Sequence, residues 1–186
     1  MNLPNKITIA RLLLTPVFVV SVVYYTEANP VLANLPLIIF LTAIVTDAID
    51  GLIARRFNQI TSFGVLLDPL ADKFLLIVSF IALSVIPSLP LHLRIPPWVL
   101  IIVLTRDLFI LIGAAIIYMV FGYIEFKPSM WGKATTFFQM LTVLLVLIRF
   151  DYVYVIWTLA AVLTVVSGVH YLIRTNRILH AKAKHI

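Results

Sequence analysis

The sequence predicts an all-α integral membrane protein, with six transmembrane helices preceded by a short interfacial amphipathic segment. Three observations lead there. Of the 186 residues, 62% are hydrophobic and only 12% are charged, whereas a soluble domain is about half apolar and about a quarter charged. Several apolar stretches approach or exceed the roughly 20 residues a helix needs to cross a bilayer. Lysines and arginines gather at the ends of those stretches, where they anchor to anionic headgroups and set topology.

The first helix is expected over 7–25, with Leu3-Pro4 leading into it and Pro16 as a kink. Its opening turns carry Asn5, Lys6, Thr8 and Arg11 and are polar enough to lie at the interface. The start reads as a retained span, because no small-residue cleavage site follows the basic residues. Helices two and three are expected over 32–53 and 63–86, the latter ended by Pro87 and Pro90. The fourth covers 97–121, with Pro97 suited to a first turn. The fifth and sixth, over 130–148 and 152–173, are joined by Arg149, Phe150 and Asp151, a link that forces an antiparallel hairpin. With no low-complexity segment and no internal repeat, residues 1–186 read as a single domain.

There is no cysteine, which excludes disulfides, thiolate metal sites and cysteine nucleophiles. The net charge of +6 does not indicate nucleic acid, since no aromatic-basic groove or soluble domain carries it. If the helices alternate, Lys6, Arg11, Arg55, Arg56, Lys127, Lys133, Arg174, Arg177, Lys182 and Lys184 share one side. Arg94 and Arg149 mark the other, so both termini and the loop after Arg55 are expected in the cytoplasm.

Only eight residues are acidic, and Asp47, Asp50, Asp68 and Asp72 account for half of them. Asp47 and Asp50 share one helical face, and so do Asp68 and Asp72. An antiparallel turn between the two helices brings both pairs toward one pocket. Four carboxylates that close need countercharge, and hard divalent cations (Mg²⁺, Mn²⁺ or Ca²⁺) suit an oxygen-only set. Ion pairing with Arg55, Arg56, Lys73 and Arg106 is the bland alternative, and a cation or proton pathway is the stronger rival. Gly51, Ala54 and Gly64 strip bulk from the surface beside the carboxylates, so a flat or phosphorylated ligand can approach the backbone; each alone would signify helix packing.

Together these residues read Asp47-x-x-Asp50-Gly51-x-x-Ala54-Arg55, then Gly64-x-x-x-Asp68-x-x-x-Asp72. The pattern resembles, without departure, the signature of the CDP-alcohol phosphatidyltransferases, and the likeness spans nearly the whole chain. It implies attack of an acceptor hydroxyl on the β-phosphorus of a CDP-linked lipid, with release of CMP. By the same resemblance Asp47, Asp50 and Asp68 ligate Mg²⁺ or Mn²⁺, two ions in all, and Asp72 ligates metal or serves as general base. Gly51, Ala54 and Gly64 line the cytidine pocket with Arg55 nearby. Pro4-Asn5-x-x-Thr8-x-x-Arg11 resembles the family's N-terminal segment, so Asn5, Thr8 and Arg11 are expected at the diphosphate, unless that stripe only faces headgroups. A homodimer in a bacterial inner membrane is also implied.

The acceptor rests on different residues. An intramembrane arginine needs an anionic partner, and Asp107 points about 100° away from Arg106 on an ideal helix. Arg106 and Lys133, with Lys73 contributing, are therefore expected to bind an acceptor phosphate; a salt bridge from Arg106 to Asp107 or a catalytic aspartate is the alternative. The chain resembles the family branch that makes phosphatidylglycerophosphate or cardiolipin from CDP-diacylglycerol, through Asn58, Phe63-Gly64, Leu67-Asp68-Pro69 and Ala71-Asp72-Lys73. Glycerol 3-phosphate is the first expectation for the acceptor. Thr105-Arg106-Asp107, Lys127-Pro128-Ser129, Gly132-Lys133 and Gln139 resemble cardiolipin synthases, which use phosphatidylglycerol; the glycerol 3-phosphate users more often carry Arg-Glu on helix four.

Overall fold

The computed structural model describes residues 3–56, 62–87, 89–121 and 129–183. Among them the chain forms six α-helices: α1 (Leu3–Val23), α2 (Pro30–Arg56), α3 (Ser62–Val85), α4 (Pro97–Phe121), α5 (Met130–Leu147) and α6 (Val153–Ala183). The expected all-helical class is what is found. Apolar windows long enough to cross a membrane lie at Pro30–Asp47, Met130–Leu147 and Val153–Arg174, and Ala10–Val23 and Lys73–Val85 are shorter apolar helices.

Local chemistry explains the boundaries. The Asn29 side chain accepts from the Val31 N–H at 3.0 Å, so Asn29 caps α2 and Pro30 takes the first position, where a missing N–H costs nothing. Pro96 and Pro97 open α4 in the same way, with the Pro96 carbonyl accepting from the Val99 N–H. Ser129 caps α5 by accepting from the Gly132 N–H at 3.0 Å. The end of α5 is a Schellman turn: the Phe150 N–H reaches the Leu145 carbonyl and the Arg149 N–H reaches Val146. Arg149 occupies the left-handed position, φ 61°, which usually falls to glycine. Its guanidinium lies 5.6 Å from the centre of the Tyr25 ring.

Two boundaries differ from expectation. The interfacial segment is no separate element but the first turns of α1, since Pro4 falls in the opening turn and nothing breaks the helix after it. α6 continues well past 173 to Ala183. Its last turns are basic and polar, so hydrophobicity stops short of them, but they hold neither glycine nor proline.

Two compact units are present. In the first, residues 1–95 and 143–151, α1 packs on both α2 and α3. In the second, residues 96–142 and 152–186, α4 packs on α6. Beside an apolar core that includes Phe18, Phe40, Phe80 and Val99, polar side chains are buried and many large hydrophobics face outward. Arg11, Thr15, Ser79, Arg106, Asp107, Gln139, Thr164 and Ser167 are buried, while Leu13, Val17, Val20, Val162, Val165 and Val169 are exposed. Lipid makes this stable because hydroxyls satisfy themselves on their own helices, as Thr15 does on the Arg11 carbonyl and Ser79 on Leu75.

Candidate functional site

In the first unit, Arg11 on α1 and Asp47 on α2 meet at 2.5 Å, with the arginine side chain 2% exposed and the aspartate 40%. About two helical turns away along both helices, Phe18 and Phe40 pack ring against ring, centroids 5.9 Å apart. Both contacts thus lie on one stripe of each helix, and α1 and α2 run antiparallel with that register. The side chains of Asn5, Thr8, Asp50, Gly51, Ala54, Arg55, Gly64, Asp68 and Asp72 lie outside the described residues; their backbones are helical, on α1, α2 and α3. Among the described residues no group of three or more metal-capable side chains forms. The donor chemistry nevertheless fits a hard divalent cation, because the set is carboxylate only and the described member, Asp47, stays open to a ligand. Lys73 is half-buried at the start of the apolar part of α3.

The second unit gathers the other charges. Arg106 is 7% exposed; its Nη1 donates to Asp107 Oδ1 at 2.7 Å and its Nη2 to Ser167 Oγ at 2.8 Å. The Asp107 salt bridge weighed as the alternative is therefore formed. The 100° between neighbouring positions separates Cβ atoms, and a long arginine arm spans it. Nε of Arg106 is buried without a hydrogen-bond partner among the described residues. A Cβ at Gly132 would stand 3.5 Å from Arg106 Nη2, and one at Gly168 would stand 3.4 Å from its Cγ. These glycines let α5 and α6 close on the guanidinium, and Gly132 brings the capped start of α5, with its neighbour Lys133, beside it. Lys133 itself is exposed. Further along, Thr135 donates to the Leu163 carbonyl at 3.0 Å and Gln139 to Thr164 at 3.3 Å, tying α5 to α6. An apolar groove of about 370 Å³ runs beside Arg106 along α4 and α6, lined among others by Ile101, Phe109, Val165 and Leu172.

Sequence reasoning missed Ser167 and Gly168 as neighbours of Arg106; the small polar pair inside an apolar helix was the available signal. It also missed the Arg11–Asp47 contact, for which the sequence held no local signal.

Residues 1–168 match the family model for CDP-alcohol phosphatidyltransferase. The chain belongs to the CDP-alcohol phosphatidyltransferase family. It is 33% identical over 182 residues to a Mycobacterium tuberculosis protein named "probable phosphatidylglycerophosphate synthase", covering 95% of this chain and 82% of that one. A Bacillus subtilis protein named CDP-diacylglycerol–glycerol-3-phosphate 3-phosphatidyltransferase is 32% identical over 187 residues, covering 91% and 93% respectively. An Aquifex aeolicus protein of the same name is 33% identical over 144 residues, covering 77% and 74%. The transferase is thus an integral membrane enzyme of phospholipid biosynthesis, and its family depends on divalent metal.

Proposed function

We propose that this transferase moves the phosphatidyl group of CDP-diacylglycerol to the hydroxyl of glycerol 3-phosphate, acting as a phosphatidylglycerophosphate synthase. The observation that carries this reading is the activity in the name of the Bacillus subtilis relative, which aligns over 91% of the chain. In the step, the acceptor oxygen bonds to the β-phosphorus, the phosphoanhydride bond breaks, and CMP leaves with the electron pair. The acceptor proton passes to Asp72 as general base. Asp47, Asp50, Asp68 and Asp72 are the residues to hold two Mg²⁺ or Mn²⁺ ions. When bound, these offset the charge of the diphosphate and the departing CMP. Asn5, Thr8, Gly51, Ala54, Arg55 and Gly64 form the nucleotide side.

Arg106, Lys133 and Lys73 receive the acceptor phosphate. Support comes from the second unit, where a buried guanidinium with an unsatisfied Nε adjoins a capped helix start. Helix N-termini favour anions because their first N–H groups point outward. The basic residues at the chain ends and at the end of α2 support cytoplasmic termini and a cytoplasm-facing site in a bacterial inner membrane. We infer a single catalytic domain and a homodimer on the family likeness.

One specific feature favours a second acceptor, phosphatidylglycerol, and with it cardiolipin synthesis. The apolar groove along α4 and α6 beside Arg106 has room for an acyl chain, and Asp107 replaces the glutamate commoner among glycerol 3-phosphate users. Purified protein given CDP-diacylglycerol, Mn²⁺ and one acceptor at a time decides between them. Phosphatidylglycerophosphate and CMP from glycerol 3-phosphate support the first reading; product from phosphatidylglycerol alone selects the second.

A further inference from the structure

The family resemblance puts Arg11 at the diphosphate, but the geometry points elsewhere. We propose that Arg11 is a positioning residue for the metal site: its buried guanidinium holds the Asp47 carboxylate in the orientation that ligates a divalent cation. This rests on the reading of Asp47 as a metal ligand.

The two side chains differ sharply in exposure. Arg11 is 2% exposed and packed inside the first unit, whereas Asp47 keeps 40% of its side chain open. The guanidinium is thus part of the wall, and the carboxylate is the part that faces outward. Arg11 occupies one oxygen, Oδ1, at 2.5 Å. A carboxylate has two oxygens and about four lone-pair directions, so one guanidinium contact leaves acceptor capacity for a cation. A fixed partner beside a ligating side chain orients it for the metal, and here that partner is an ion-paired guanidinium.

The register supports the same conclusion. Phe18 and Phe40 are both fully buried and in ring contact on the same stripe of α1 and α2. Sliding one helix along the other by a turn would break the aromatic contact and the ion pair together. Arg11 is held at its own root as well, since its backbone carbonyl accepts from Thr15 at 3.1 Å. Asp47 is therefore positioned from α1, which packs on both helices carrying the aspartates.

Simple charge counting predicts the opposite effect, since a cation beside a ligand repels a second cation. The sign of the change on removing Arg11 therefore separates positioning from repulsion. The experiment is Mn²⁺ titration of the full chain in detergent micelles, followed by electron paramagnetic resonance of free Mn²⁺, with no CDP-lipid present. Arg11→Gln is expected to weaken Mn²⁺ binding by about ten- to a hundred-fold, and Arg11→Lys to recover part of the loss. Adding Arg11→Gln to Asp47→Asn should cost less affinity than Arg11→Gln costs alone, because the arginine acts on the metal through Asp47. Helical circular dichroism and elution as a single species identify the folded variants on which the titration is read. Unchanged or tighter Mn²⁺ binding in Arg11→Gln, alongside weaker binding in Asp47→Asn, overturns the positioning role. Undiminished binding in Asp47→Asn instead overturns the ligand reading on which it stands.

Discussion

Replacing Arg106 by alanine is the most informative single perturbation of the second unit, because two consequences follow from one geometry. The substitution deletes the donor to Asp107 at 2.7 Å and the donor to Ser167 at 2.8 Å. Asp107, 4% exposed, loses its 2.7 Å countercharge. Breaking a buried ion pair from one side costs up to about 3–5 kcal/mol, which for a chain of this length lowers a thermal midpoint by up to roughly 20 °C. Arg106→Ala/Asp107→Asn also removes the carboxylate charge that lost this partner, so it should be more stable than Arg106→Ala. The assay is the thermal midpoint of the four proteins of the cycle in one detergent, followed by KM for glycerol 3-phosphate on those that remain folded. The double variant should show a KM raised about ten-fold or more, as expected when a charged hydrogen bond to phosphate is lost. Equal midpoints for Arg106→Ala and the double variant would refute the ion-pair argument. A folded double variant with an unchanged KM would refute the acceptor-phosphate role.

Three further outcomes are expected. Chelation by EDTA should abolish CMP release and added Mg²⁺ or Mn²⁺ should restore it, while Asp72→Asn should stay inactive at any metal concentration; persistent turnover in that variant removes Asp72 from the mechanism. Gly132→Ala places a Cβ 3.2 Å from Ser129 Oγ and 3.5 Å from Arg106 Nη2. It should loosen the α5 cap at a cost of about 1 kcal/mol and raise KM for the acceptor without changing Mn²⁺ affinity. Burial raises the pKa of the Tyr25 phenol above its usual value; the Arg149 charge opposes this and Glu27 adds to it. The unfolded chain then loses this proton first. The resulting stability is fully present below about pH 10, is lost as pH rises through the folded-state value, and should be missing from Tyr25→Phe in alkaline unfolding curves.

Most helices were legible because their causes are local. Asn29-Pro30, Pro96-Pro97 and Ser129 each start a helix by satisfying or omitting its first N–H groups, and those residues stand beside the helices they cap. The far end of α6 was not legible from hydrophobicity, since Arg174, Arg177 and Lys182 carry helix propensity without an apolar signal. The four aspartates stood out because charge in an apolar chain is expensive and their spacing is a property of single helices; the reaction came from the family resemblance.

What the partners of Arg11 and Arg106 are is a different kind of fact. Position along a helix sets the direction of a Cβ but not the end of a long, flexible side chain. Arg106 therefore reaches its neighbour Asp107 in spite of the angle between them, and reaches Ser167 on α6 only because Gly132 and Gly168 admit it. Arg11 meets Asp47 because Phe18 and Phe40 set the register of α1 against α2. By itself the sequence determined a membrane transferase of a metal-dependent family. Which charge holds which carboxylate was decided by helix packing, because those contacts join residues that only tertiary structure brings within a few ångströms.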